Sequence, residues 1–215
     1  MRQLALRLGA AGFHTLRFDY HGTGDSSGDM TDADLPGWES DIEAALAELM
    51  DMTGAQRVGL VGLRLGAALA ARVCARRRRQ VDSLVLWDPV VDGAVFVDEL
   101  LALDVATSGG PAPRPRPEGR PGLQLLGFPV TPAMFEQMKG VDLLGSVPNL
   151  PARTLVITST HGASAALRER LAQRSEPAAS CEELDLEPAW LEQHDSGAGA
   201  VPVGLLDRIA AWCSA

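Results

Sequence analysis

Apolar positions change their period along this chain, and each change marks an element. Leu4, Leu8 and Ala11 recur at helical spacing and predict a short opening helix that Gly12 ends. Phe13 to Tyr20 then alternates, with Leu16, Phe18 and Tyr20 on one side, and predicts a strand. The stretch His21-Gly22-Thr23-Gly24-Asp25-Ser26-Ser27-Gly28 is rich in turn formers and reads as a loop. Asp34 stands where an N-cap belongs, ahead of a helix whose apolar stripe is Trp38, Ile42, Ala45 and Leu49. Arg57 to Val61 reads as a strand and Ala67 to Arg79 as a helix of small residues. Val81 to Asp88 reads as a continuous apolar strand, the kind buried on both faces of a parallel sheet. This alternation of helix and strand predicts an α/β fold with right-handed crossovers.

The alternation stops at about residue 92. Between Gly109 and Gly122, Pro111, Pro113, Pro115, Pro117 and Pro121 interleave with Arg114, Arg116 and Arg120. Such a segment can be neither a helix nor an inner strand, because proline lacks the N–H that either would use, so it is expected to be extended and exposed. Thr131-Pro132 is predicted to start a short helix ending at Gly140. Regular order then resumes: a strand over Arg153 to Thr158, a helix from Ser164 to Arg174, a strand around Glu183 to Leu186 and a last helix from Val201. The expected organisation is one domain over 1–215. Within it, 92–150 is inserted as a lid over the C-terminal edge of the sheet, and 109–122 is its flexible proline-rich part.

Composition narrows the class. A chain of 215 residues suffices for one domain that buries about 70% of its unfolded surface. Its 46% hydrophobic and 22% charged residues are those of a soluble globular protein. A net charge of -9 argues against nucleic acid or an anionic membrane as partner, since both repel an acidic surface. No apolar run is long enough to predict a membrane span, and the first residues lack the pattern of a signal peptide. Cys74, Cys181 and Cys213 are odd in number and far apart, which predicts free thiols in a reducing, cytoplasmic setting. The run Arg76-Arg77-Arg78-Arg79 falls at a predicted helix end, where cations complement the dipole. Asp29, Asp32 and Asp34 precede a helix start and read as caps. No cysteine or histidine spacing fits zinc, and neither metal nor cofactor is expected.

The candidate chemistry lies at Gly62-Leu63-Arg64-Leu65-Gly66, between a predicted strand and a predicted helix. Glycines two positions either side of a central residue, in a strand-turn-helix setting, form the frame of a nucleophile elbow, whose central residue is a serine. Here it is Arg64, whose guanidinium stays protonated and has no lone pair to attack a carbonyl. An elbow residue faces the pocket, and the following helix N-terminus adds partial positive charge, so the pair would suit a carboxylate or a phosphate.

The stretch Phe18-Asp19-Tyr20-His21-Gly22-Thr23-Gly24-Asp25-Ser26 resembles the D-x-R-G-x-G-x-S loop that follows the fourth strand of α/β-hydrolases, with the elbow following further along the chain. Together the two motifs resemble the serine aminopeptidase-like branch, and within it the hydrolase-like proteins associated with exosortase systems, some of which carry a Gly-Leu-Arg-Leu-Gly elbow. The resemblance is specific from residue 3 to about residue 93 and topological beyond. It implies a mostly parallel sheet flanked by helices, without the family's first strands. It implies that the acid is Asp88, after Leu84-Val85-Leu86-Trp87, because Ser159-Thr160-His161-Gly162 at the other family position holds no carboxylate. It implies His194 as the histidine before the last helix, with His161 a lesser candidate and His14 and His21 structural. The Leu65 N–H would be one oxyanion donor, and its companion would lie upstream of the opening helix; losing one such donor costs about 10²- to 10³-fold in rate.

Two functions follow from different classes. The first is a non-catalytic component that binds a small anionic or acyl ligand in the pocket around Arg64. The second is a weak hydrolase of an ester, thioester or amide, in which Asp88 and His194 activate water, or in which Ser26 attacks. A third outcome for Arg64 is an ion pair with Asp88 or Asp19 that fills the site. If the strand at Leu16 and Phe18 lacks its neighbour, its open edge calls for a homodimer or another partner to cover it.

Overall fold

The computed structural model describes residues 1–115, 123–159, 165–174, 179–185 and 202–215. Helix α1 (Arg2–Ala10) opens the chain and ends before Gly12, which turns with φ 95. Helix α2 (Leu35–Thr53) starts at Asp34, whose carboxylate accepts from the Gly37 N–H at 2.7 Å, and stops at Gly54 in the left-handed region. Its buried face is Trp38, Ile42 and Leu46; Ala45 and Leu49 are only half-buried. Strand β1 (Val58–Leu63), helix α3 (Leu65–Arg76) and strand β2 (Val81–Trp87) follow. Helix α3 ends three residues before the predicted Arg79. Arg72 and Arg76 bind the buried Glu39 of α2 at 2.8 and 2.6 Å, and Arg76 and Arg77 reach Glu43. The arginine run therefore joins two helices.

Helix α4 (Gly93–Ser108) was not marked by periodicity, but Asp92 caps it by accepting from the N–H groups of Ala94 and Val95. Strands β3 (Arg114–Pro115), β4 (Leu123–Leu125) and β5 (Phe128–Val130) form a small antiparallel sheet. Residues 116–122 of the proline-rich stretch lie outside the described residues. Helix α5 (Pro132–Lys139) is capped by Thr131, and a 3₁₀ turn (Leu144–Asn149) leads to strand β6 (Arg153–Ser159). Helix α6 (Ala165–Ala172), strand β7 (Ser180–Leu184) and helix α7 (Val203–Ser214) complete the chain. Strand β7 begins ahead of its expected position, and α7 begins two residues after Val201.

The principal sheet has the order β1-β2-β6-β7, with every pair parallel. Strand β2 explains its own central position: Leu84 and Leu86 face one core, Val85 and Trp87 the other. The first core is closed by α2, α3, α4 and α5, through residues such as Leu69, Val73, Val97 and Met134. The second is closed by α1 and α7, through Leu4, Leu205, Leu206 and Ile209. Helices on both faces of a parallel sheet bury both faces of its inner strands, which is why β2 and β6 carry the apolar runs Leu84–Trp87 and Leu155–Ile157.

One expectation fails. Residues 13–20 form no strand among the described residues, and Phe13, Leu16 and Phe18 are each about two-fifths exposed. Alternation reports which side chains share a face; a strand also needs a neighbouring backbone to bond, and none is bonded here. No helix of the described residues is long and apolar enough to cross a membrane.

Candidate functional site

Register builds the site. Leu63 of β1 lies opposite Trp87 of β2, and Trp87 lies opposite Ile157 of β6. Arg64 and Asp88, each the residue after its strand, therefore emerge side by side at the C-terminal edge, with Ser159 two positions beyond Ile157. Open parallel sheets place ligands at this edge.

Arg64 occupies the turn between β1 and α3 with φ 51 and ψ -122, a conformation costly for any side chain larger than glycine's. Its N–H donates to the Trp87 carbonyl at 3.0 Å, and its own carbonyl accepts from Ala67 at 3.0 Å and Val90 at 3.3 Å. Those bonds tie the strained turn to the end of β2, to the loop after it and to the first turn of α3. Gly62 is required for close packing, since a Cβ there would overlap the backbone of Gly66 and Ala67. Leu63 closes β1, and Leu65 and Gly66 begin α3, whose first turn receives no capping bond from the Arg64 side chain. The five residues thus have the elbow geometry their spacing predicts.

The guanidinium does not pair with Asp88 or Asp19. Its Nη2 lies 2.7 Å from Oε2 of Glu99 on α4, and the group sits over the Phe96 ring, 5.4 Å from its centroid. The reason is topological: α4 starts soon after Asp88 and carries Phe96 and Glu99, one turn apart, to the Arg64 side chain. The Arg64 side chain is 25% exposed and Glu99 56%. Neither Glu99 nor Phe96 was singled out in the sequence; the Asp92-Gly93 start of α4, with Phe96 and Glu99 at helical spacing after it, is the signal that was there to use.

Asp88 is fully buried and has φ 40. Its backbone N–H donates to the Ile157 carbonyl, and its Oδ1 accepts from the Ser159 N–H at 2.8 Å and the Ser159 hydroxyl at 3.1 Å. Oδ2 is buried with no hydrogen-bond partner among the described residues. Burial pushes the carboxyl above its ordinary pKa, and the Ser159 bonds and the nearby Arg64 charge oppose that rise. His194 and His161 lie outside the described residues.

The loop before α2 is held in place rather than poised for chemistry. The Ser26 hydroxyl donates to the Asp19 carbonyl at 2.5 Å, so its proton is committed to the backbone. The His21 N–H donates to Asp41, the Trp38 indole donates to the His21 carbonyl, and a Cβ at Gly28 would overlap the His21 ring. His14 is exposed. Tyr20 stacks on Trp38 with centroids 5.0 Å apart, and burial, with Asp41 nearby, pushes its hydroxyl up to about 12. Among the described residues, no group of three or more histidine, cysteine or acidic side chains is placed to hold a metal ion.

The sequence model of the serine aminopeptidase, S33, family matches residues 1–116, more than half of the chain. The chain belongs to that family. The match covers the elbow, the Asp19–Ser26 loop, Asp88 and all of α4, while Ser159 lies outside it. No curated protein matches in sequence. Solved structures share the fold. One, from work on the metagenome-derived lipolytic enzymes LipS and LipT, is 21% identical, with a TM-score of 0.63 over 99% of this chain and 86% of its own. The monoacylglycerol lipase of Paleococcus ferrophilus is 15% identical, with a TM-score of 0.64 over 99% and 87%. The enol-lactonase of Burkholderia xenovorans LB400 is 18% identical, with a TM-score of 0.61 over 99% and 86%. At such identities the likeness establishes the α/β-hydrolase fold alone.

Proposed function

We propose that this chain is a non-catalytic member of the α/β-hydrolase fold that binds a small anionic or acyl ligand at the former nucleophile position. The observation that carries this reading is the Arg64 side chain: it stands at the elbow, reaches past the strand ends and holds a carboxylate, that of Glu99, at 2.7 Å. A guanidinium that engages one carboxylate across the site has the geometry to engage another. Covalent acyl transfer has no electron pair to start from at Arg64. In this reading the insertion over 92–150 is the lid of the site, and its helix α4 supplies Phe96 and Glu99 to Arg64.

Isothermal titration with octanoate and with inorganic phosphate tests the reading. Binding of at least one of them is expected, with a loss of about tenfold or more in Arg64→Met, as for a charge-assisted bond removed. Equal affinity in the variant would end the proposal. A fluorophosphonate probe is expected to leave the protein unlabelled. The competing reading, water activated by Asp88 and His194, draws on the buried Oδ2 of Asp88, which has no hydrogen-bond partner among the described residues. Hydrolysis of p-nitrophenyl acetate that disappears in both Asp88→Asn and His194→Ala would favour it instead.

A further inference from the structure

We infer that Glu99 is an internal competitor for the Arg64 site, and that the ligand which displaces it is a monocarboxylate carrying an apolar tail. This inference rests on the binding role proposed for Arg64 and adds its regulation and its ligand class. Glu99 is itself a carboxylate on a short aliphatic stem, held 2.7 Å from the guanidinium, so the bound state of the site is already drawn by the protein. The pair is easily exchanged. Glu99 is more than half exposed, and exposed ion pairs contribute little because water competes for both partners. An incoming carboxylate that also buries an apolar tail therefore has the advantage over Glu99, which brings none.

Charge selects the anion. Arg64 supplies one positive charge, which a carboxylate balances and a dianion exceeds by one negative charge. A phosphate dianion is thus disfavoured relative to a carboxylate. The apolar surface is on the same helix. Val95 is 55% exposed, and the half-buried Phe96 lies under the guanidinium, both within about one turn of Glu99. A tail leaving the carboxylate would run over them.

The test is titration of the full chain with octanoate, acetate and inorganic phosphate, in the wild type and in Glu99→Gln, Glu99→Ala and Arg64→Met, with thermal melts to verify folding. Both Glu99 variants are expected to bind octanoate about two- to fivefold more tightly than the wild type, the factor set by an exposed pair. Octanoate is expected to bind on the order of tenfold better than acetate, since a few methylenes leave water, and better than phosphate. If the Glu99 variants bind no more tightly than the wild type while Arg64→Met fails to bind, competition is refuted and the Arg64 site stands. Weaker octanoate binding in Glu99→Gln likewise refutes it, because Glu99 would then be positioning Arg64. Phosphate binding as well as octanoate, or acetate doing so, refutes the ligand class. Arg64→Met binding as the wild type does removes both the inference and the reading beneath it.

Discussion

At Arg64 the backbone and the side chain make opposite demands. The turn needs φ 51 with ψ -122, which glycine adopts cheaply, yet the position holds one of the longest side chains. Such strain costs about 1–3 kcal/mol. Arg64→Gly is expected to be more stable to urea than Arg64→Ala by about 1 kcal/mol, since the strain glycine relieves exceeds the entropy it adds to the unfolded chain. Equal midpoints for the two would show that the turn is not strained. At Asp88 the conflict is between burial and charge. Its folded pKa lies above the unfolded value, so the native state holds the proton more tightly. Its contribution is then fully present below the ordinary carboxylate range and is lost as pH rises from there through the raised folded value. Asp88→Asn is expected to remove that loss while keeping an acceptor for Ser159. Asp88→Ala leaves both Ser159 donors unmet and is expected to cost about 1–3 kcal/mol. Urea titrations over a pH series check both.

Among the elements, those whose ends are chemically marked were the most legible. Asp34 and Thr131 cap α2 and α5, and Gly54 ends α2, because a cap is decided by residues three positions away. Strands β1, β2 and β6 were legible from their apolar runs. Helix α4 was not, since apolar residues are spread around it and its exposed face carries Val95 and Val105. That helix also anchors the small sheet. The buried Asp104 accepts from Arg114 at 2.9 Å and from the Leu126 N–H, at the β4–β5 turn, at 3.1 Å. Asp104→Ala is expected to destabilise by about 1–3 kcal/mol, the cost of an unmet partner that remains partly solvated. The loss should be local, read as faster hydrogen exchange in 123–130 with little change in the principal sheet. Uniform loss across the molecule would contradict the anchor role.

On the scale of the molecule, among the described residues β1 bonds only to β2, and the alternating stretch 13–20 bonds to no strand. Unpaired extended backbone is a template for another chain. We propose a second copy as its partner. Antiparallel pairing of two such stretches about Phe18 sets Leu16 opposite Tyr20 and each Arg17 opposite an Asp19, so both the apolar and the charged faces match. Sedimentation is expected to show concentration-dependent dimers, weakened by Arg17→Asp; a monomer at all concentrations would refute it.

Sequence by itself determined the alternation of helices and strands, the caps and the elbow turn, because each depends on residues within a turn or a strand of one another. It also placed Arg64 and Asp88 at strand ends. Only the tertiary structure decided that Arg64 meets Glu99 rather than Asp88, and that Asp88 meets Ser159, contacts that span 35 and 71 positions. Those pairings are set by strand register and by where α4 packs relative to the elbow, and neither is encoded in any short stretch. The same holds for residues 13–20, where the alternation is real but the neighbour that would make it a strand is a property of the assembled sheet.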